Sequence, residues 1–123
     1  MTEVLSPEWF EATNVALDGL SEGPGGSGVV ELVVTGGDEG RLAIHWVVED
    51  GRLRAVRPAS ESGVDAEVTV PQTRHDLGEL VAGRLDPAVA FMRGDLKPEG
   101  SARALFAWLS ALARDDCRAA IAG

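Results

Sequence analysis

The chain has 123 residues, 45% of them apolar and 25% charged, which predicts one folded domain spanning residues 1–123 and excludes a disordered chain. Its 20 acidic residues outnumber 11 Lys and Arg, and the formal charge of −9 argues against nucleic-acid binding and allows at most transient membrane contact. One cysteine, Cys117, allows no intrachain disulfide, and we find neither a secretory signal nor an apolar run of about 18 residues, so we expect a cytoplasmic protein.

The first half of the chain predicts a helix followed by a strand meander. Ser6 and Pro7 are typical of a helix start, and apolar residues then follow helical spacing as far as Leu20. A glycine-rich connection leads into segments with strand patterns, and Asp50-Gly51 indicates a tight hairpin. The predicted strands are residues 29–35, 42–48, 52–56 and 66–70.

The second half changes to a helical pattern. Thr73 is a helix cap with Asp76 three residues later, and Gly83 ends that helix. Asp86-Pro87 starts another short helix, which Gly94 ends.

A last strand and a last helix complete the predicted order. Residues 95–99 form the strand, and Pro98 restricts it to a sheet edge. Ser101 opens the helix 102–114, and a further turn or two follows within 116–122. The pattern predicts an α+β fold with a mixed, mostly antiparallel sheet and helices on one face.

The motifs usual for catalysis or cofactor binding are missing or misplaced. Residues 23–28 match G-x-G-x-x-G but follow a helix and open a strand, so we interpret them as a flexible linker. His45 and His75 have no metal-ligand spacing, and no G-x-S-x-G is present. The sequence thus predicts no catalytic residue, metal or cofactor, although a triad assembled by the fold remains open.

The last helix has more apolar residues than one buried face needs. Only Arg103 and Ser110 interrupt its apolar character before Arg114, so the apolar stripe is wider than about 100°. Such a helix is either covered on two sides or lines a cavity or a partner surface. Phe91 and Met92, just upstream, suit a wall that accepts varied apolar shapes, and core filling is the alternative.

Three consecutive segments have a recognisable combined pattern. Residues 66–70 read AEVTV, residues 76–87 read DLGELVAGRLDP, and residues 88–100 read AVAFMRGDLKPEG. This succession of an alternating strand, a short helix ending in a G-R-L-D-P turn, and A-F-M-x-G-x-L-K-x-x-G before a helix resembles the sterol carrier protein type 2 family. The match is nearly unbroken through these segments.

The resemblance implies a five-stranded sheet with helices over one face and an apolar tunnel between them. It also implies non-enzymatic binding and transfer or presentation of sterols, fatty acids, acyl-CoAs or phospholipids. Asp95 stands where the family usually has Lys, which argues against a phosphate contact. The residues that match the tunnel lining are Leu80, Phe91, Met92, Leu96, Leu105, Phe106, Leu109 and Leu112.

Two functional hypotheses follow. The first is a protein, not an enzyme, that binds an apolar small molecule or lipid in a hydrophobic tunnel. The second is a protein–protein interaction or dimerisation module accessory to an enzyme, with no ligand of its own. A monomer and a homodimer are both compatible with the sequence.

Overall fold

The computed structural model of the protein describes residues 3–38 and 40–122. Glu39, which lies in the sequence between the first two predicted strands, is outside the described residues. A single 3-10 turn at Ala59–Glu61 follows the third strand. In chain order the elements are α1 Pro7–Asp18, β1 Gly28–Gly37, β2 Gly40–Glu49, β3 Arg52–Pro58, β4 Val68–Thr73, α2 Arg74–Val81, α3 Pro87–Met92, β5 Glu99–Gly100, α4 Ala102–Leu112 and α5 Asp115–Ile121.

The strands form one five-stranded sheet in the order β3-β2-β1-β4-β5. Only β1 and β4 run parallel, and the other neighbours are antiparallel, which confirms the predicted mixed, mostly antiparallel sheet. In the central strand, Val30 lies opposite Trp46 on one side and Val68 on the other, and all three are buried. This row belongs to the face that the helices cover.

Side-chain caps begin α1 to α4 where the sequence predicts them, because a hydroxyl or carboxylate oxygen accepts a hydrogen bond from one of the amides that the first turn leaves unpaired. Ser6 accepts from the amide of Trp9, and Thr73 from that of Asp76. Asp86 and Ser101 cap α3 and α4 in the same way. The helix positions therefore follow from local chemistry.

The hairpin between β2 and β3 has the predicted tight turn. Asp50 and Gly51 have φ values of 51° and 78°, the left-handed pair that such a turn requires. The segment predicted as a flexible linker is tied to this turn, since the Gly23 amide donates to Asp50 O and the Gly51 amide to Gly26 O. A Cβ on Gly51 would lie 2.3 Å from Gly23 O, so this contact requires glycine.

The last strand is shorter and later than predicted. Residues 95–98 are not in the sheet, and only Glu99 and Gly100 pair with β4, at its edge. Asp95 instead donates its amide to Ala90 O, which continues the end of α3, and Pro98 has no amide to donate to a ladder. The prediction of an edge position is correct, and its extent is wrong.

The helices bury large side chains against one face of the sheet. Trp9 from α1, Trp46 from β2 and Trp108 from α4 are fully buried. His45 and Thr69 lie on the opposite face of the sheet. Ser62, which follows the 3-10 turn, contacts this face through a hydrogen bond with His45. The helix side of the sheet therefore holds the three tryptophans of the core.

Candidate functional site

The residues matched to the tunnel lining divide into a buried group and an exposed group. Met92 is 82% exposed and Phe106 is 52% exposed, while Phe91 is partly buried and stacks edge to face on Phe106 at 5.8 Å between ring centroids. The buried group comprises Leu80, Leu96, Leu105, Leu109 and Leu112. The wide apolar stripe of α4 thus has its Leu side in the core and its Phe106 side toward solvent.

Two adjoining hollows lie beside α2 and the start of α3, one toward β4 and the segment before β5 and the other toward α4 and α5. The larger, which we call the amide cleft, has a volume of about 460 Å³ and contains the matched residue Leu96. The smaller, the leucine cavity, has about 130 Å³ and contains the matched residues Leu80 and Leu112. Leu85, which is half-buried, and Asp86 line both hollows, so the two lie side by side.

The amide cleft has a polar rim over an apolar floor. Leu96 and Ala90 lie in the floor, and four carboxylates stand around it, at Asp76, Glu79, Asp86 and Asp95. The cations of the rim are Arg84 and Arg93, together with His75 when it is protonated.

One ion pair at this rim is well defined. Arg84 Nε lies 2.7 Å from Glu79 Oε2, and this hydrogen bond lowers the pKa of the Glu79 carboxyl. The same pair raises the pKa of the Arg84 guanidinium. Arg84 is therefore already engaged with a carboxylate and is a poor candidate for a second anion.

The floor of the amide cleft also holds a residue that sequence analysis missed. Gln72 is 6% exposed, and neither its side-chain carbonyl oxygen nor its side-chain amide nitrogen has a hydrogen-bond partner within the described residues. An unsatisfied buried polar group costs about 1–3 kcal/mol. The alternation of Val68, Val70 and Gln72 along β4 was the available signal, since the third inward position is polar.

A third hollow, the α1 groove, was also missed. It has about 690 Å³, lies between α1 and the edge strand β3, and has an apolar wall that includes Phe10, Leu42 and Val56. Val15 stands on its margin and is 69% exposed. Glu11, Asn14 and Asp18 lie on the same side of α1 as this groove, so the sequence carried no apolar pattern that could have indicated it.

The fold does bring a serine, a histidine and a carboxylate together, the arrangement that sequence analysis left open. His45 Nδ1 lies 2.6 Å from Ser62 Oγ, and its Nε2 lies 2.9 Å from Glu31 Oε1. Ser62 Oγ is also tied to the backbone of Ala59 and Val64, and none of the three side chains lines the two hollows or the α1 groove. We therefore assign these three residues a structural role, in which they hold the segment after β3 against the sheet.

Within residues 3–38 and 40–122, no group of three or more His, Cys, Asp or Glu side chains is placed to hold a metal ion. Within the same ranges, no helix has both the length and the apolar character needed to cross a membrane.

Comparison with known proteins decides the family. The model of the SCP-2 sterol transfer family matches residues 24–112, well over half of the chain. The chain belongs to this family. The resemblance noted in the sequence is thereby confirmed, and the family is one of lipid-binding and sterol-carrier domains.

Solved structures show the same fold. A crystal structure of sterol carrier protein 2 has a TM-score of 0.69 at 20% identity, with 98% of each chain covered. A conserved hypothetical protein from Thermus thermophilus has a TM-score of 0.67 at 20% identity, with 99% of this chain and 90% of that one covered. Palmitated SCP2L2 from Aedes aegypti has a TM-score of 0.64 at 15% identity, with 89% and 96% covered. No curated protein sequence matches the chain.

Proposed function

We propose that the protein binds a lipid or another apolar small molecule, such as a sterol, a fatty acid or an acyl chain, and transfers or presents it without chemical change. The observation that supports this most is that the amide cleft and the leucine cavity lie side by side and share the lining residues Leu85 and Asp86. Both hollows hold residues that the family resemblance matches to a tunnel lining, namely Leu80, Leu96 and Leu112. The volume of the cleft lies within the range of about 300–1,000 Å³ usual for small-molecule sites.

Desolvation would supply the binding energy. Each buried methylene contributes about 0.8 kcal/mol, so about 14 of them contribute roughly 11 kcal/mol. Association and ordering cost several kcal/mol, which leaves an affinity of about micromolar. Such binding needs no strong head-group contact, and its specificity for the apolar part would be broad.

Native mass spectrometry of the purified protein, with a denatured sample and an organic extract in parallel, tests the proposal directly. We expect an additional mass that denaturation releases and that the extract identifies as an apolar molecule. A protein that carries no such mass and also fails to bind the neutral dye Nile red would contradict the proposal.

A matched pair of substitutions locates the site. Leu85→Trp adds bulk between the two hollows, where the half-buried side chain has open space beside it, and we expect at least about tenfold weaker Nile red binding. Val15→Trp adds the same side chain at the margin of the α1 groove and should leave the affinity unchanged. The reverse result would move the site to the α1 groove. Thermal unfolding of both variants checks that the fold is intact.

The exposed apolar residues of α3 and α4 favour a second candidate function, a dimerisation or protein-interaction module accessory to an enzyme. Met92 and Phe106 are large, apolar and exposed, and a second copy of the chain could cover them. Sedimentation measured across protein concentrations would then show a dimer that Phe106→Lys dissociates. A monomer at all concentrations would contradict this function.

A further inference from the structure

Gln72 has a place in the fold that its chemistry does not explain. It is the third inward-facing residue of β4, opposite Val34 of β1, and the two inward residues before it are Val68 and Val70. Its backbone pairing is independent of its side chain, so an apolar residue of similar length would serve the sheet equally well. The amide therefore adds nothing to the packing that Met or Leu would not add.

The amide is also unsatisfied. Both Oε1 and Nε2 are buried without a hydrogen-bond partner among the described residues, although buried polar groups in proteins are nearly always paired. Gln72 lines the amide cleft beside Ala90 and Leu96. A turn of the side chain toward this cleft would let a group bound there offer the amide the partner that the protein does not supply.

The two unpaired side-chain atoms of Gln72, Oε1 and Nε2, determine which chemical group would suit it as a partner. Nε2 can only donate and Oε1 can only accept, so one small group that does both would satisfy them together. A hydroxyl group donates one hydrogen bond and accepts others, whereas an ionised carboxylate can only accept. A carboxylate at this position would leave Oε1 unpaired and would place two acceptors side by side.

The charge of the rim of the amide cleft also favours an uncharged head group over an anionic one. The carboxylates of Asp76, Glu79, Asp86 and Asp95 outnumber the guanidinium groups of Arg84 and Arg93, and Arg84 is paired with Glu79. An anionic head group would thus enter a rim of net negative charge. An uncharged head group meets no such repulsion.

We propose that Gln72 binds the hydroxyl group of an otherwise apolar alcohol, and that the protein prefers such an alcohol to the carboxylate of the same chain length. The inference rests on the proposed function and names the head-group residue of that site. The apolar part of the molecule lies along Leu96 and Leu85 and continues toward the leucine cavity. Gln72 thereby selects the ligand, at a cost to the stability of the empty protein.

Calorimetric titration of the full chain with 1-dodecanol and with dodecanoate tests this preference. We expect wild type to bind the alcohol about tenfold more tightly than the carboxylate, and Gln72→Met to lose about tenfold for the alcohol with little change for the carboxylate. Thr69→Val, on the same strand but the opposite face, is the matched control and should change neither affinity. Gln72→Met should also unfold at an equal or higher temperature, because it removes an unpaired buried amide.

Three results would overturn the inference. Equal affinity of wild type and Gln72→Met for 1-dodecanol, or a wild-type preference for dodecanoate, would contradict the role of Gln72 and leave the proposed function standing. Binding of neither compound by wild type would contradict both. A measurement on the wild-type protein avoids the case in which the variant misfolds. In NMR spectra, the side-chain amide resonance of Gln72 should shift with 1-dodecanol and not with dodecanoate. A resonance that does not shift with 1-dodecanol would refute the contact.

Discussion

At the edge of the sheet, the side chain of Asn14 makes the two backbone hydrogen bonds that a neighbouring strand would otherwise make. Its Nδ2 donates to Val56 O at 2.8 Å, and its Oδ1 accepts from the Val56 amide at 2.9 Å. Val56 belongs to β3, whose outer edge has no further strand in the order β3-β2-β1-β4-β5. One amide from α1 thus satisfies two backbone groups of an edge strand and joins the helix to the sheet.

Replacement of Asn14 should therefore lower the stability of the fold more than the small size of this side chain would suggest. We expect Asn14→Ala to lower the free energy of unfolding by about 1–3 kcal/mol, because two backbone groups lose their partner. Urea denaturation measures the effect, with the neighbouring exposed substitution Glu11→Gln as control. An Asn14→Ala protein as stable as wild type would show that water replaces the amide at no cost.

The edge-to-face pair of Trp46 and Trp108 joins α4 to β2, with ring centroids 6.0 Å apart. Both rings are fully buried, so Trp108→Ala should cost about 3–5 kcal/mol through the cavity it leaves. Trp108→Phe should cost well under half of that loss, because it keeps a ring and removes an indole N–H that has no partner within the described residues. Chemical denaturation measures the loss of stability in both variants, and equal losses would contradict this expectation.

His45 should matter for stability and not for ligand binding. Its ring joins Glu31 to Ser62 on the sheet face opposite the hollows, so His45→Ala leaves a half-buried carboxylate without its partner. We expect a loss of about 1–3 kcal/mol in the free energy of unfolding and an affinity for Nile red within about threefold of wild type. A larger loss of affinity would place this trio in the binding site. Nile red titration of Ser62→Ala tests the same expectation with a second variant of this hydrogen-bonded group.

Cys117 is buried, and desolvation raises the pKa of its thiol above the usual 9.0, with a smaller raising effect from Asp116. The native protein at pH 8 should therefore react with a thiol reagent much more slowly than the urea-unfolded chain. The folded state favours the protonated thiol, so this contribution to stability is complete below the unfolded pKa and is lost as the pH rises through the folded value. Cys117→Ala should remove that alkaline loss, which pH-dependent denaturation would reveal.

Local chemistry made most of the fold predictable. Ser6, Thr73, Asp86 and Ser101 cap the helices that they precede, and the conformational demand of Asp50-Gly51 fixes a hairpin. Each of these signals acts over a few residues, so spacing in the chain is sufficient to read it. The last two strands were exceptions. The fourth strand spans Val68–Thr73 instead of the predicted 66–70. The last strand begins late because the Asp95 amide remains bonded to Ala90 O at the end of α3.

The sequence by itself determined the order of the elements, the class of the sheet and the family, since these rest on local patterns and on a continuous motif. Only the tertiary structure decided which side of the wide α4 stripe is buried, that Gln72 has no partner among the described residues, and that Leu85 lines two hollows. It also decided that Asn14 meets Val56 across 42 positions of the chain. Such contacts depend on how distant segments approach each other, and no spacing within one segment encodes that approach.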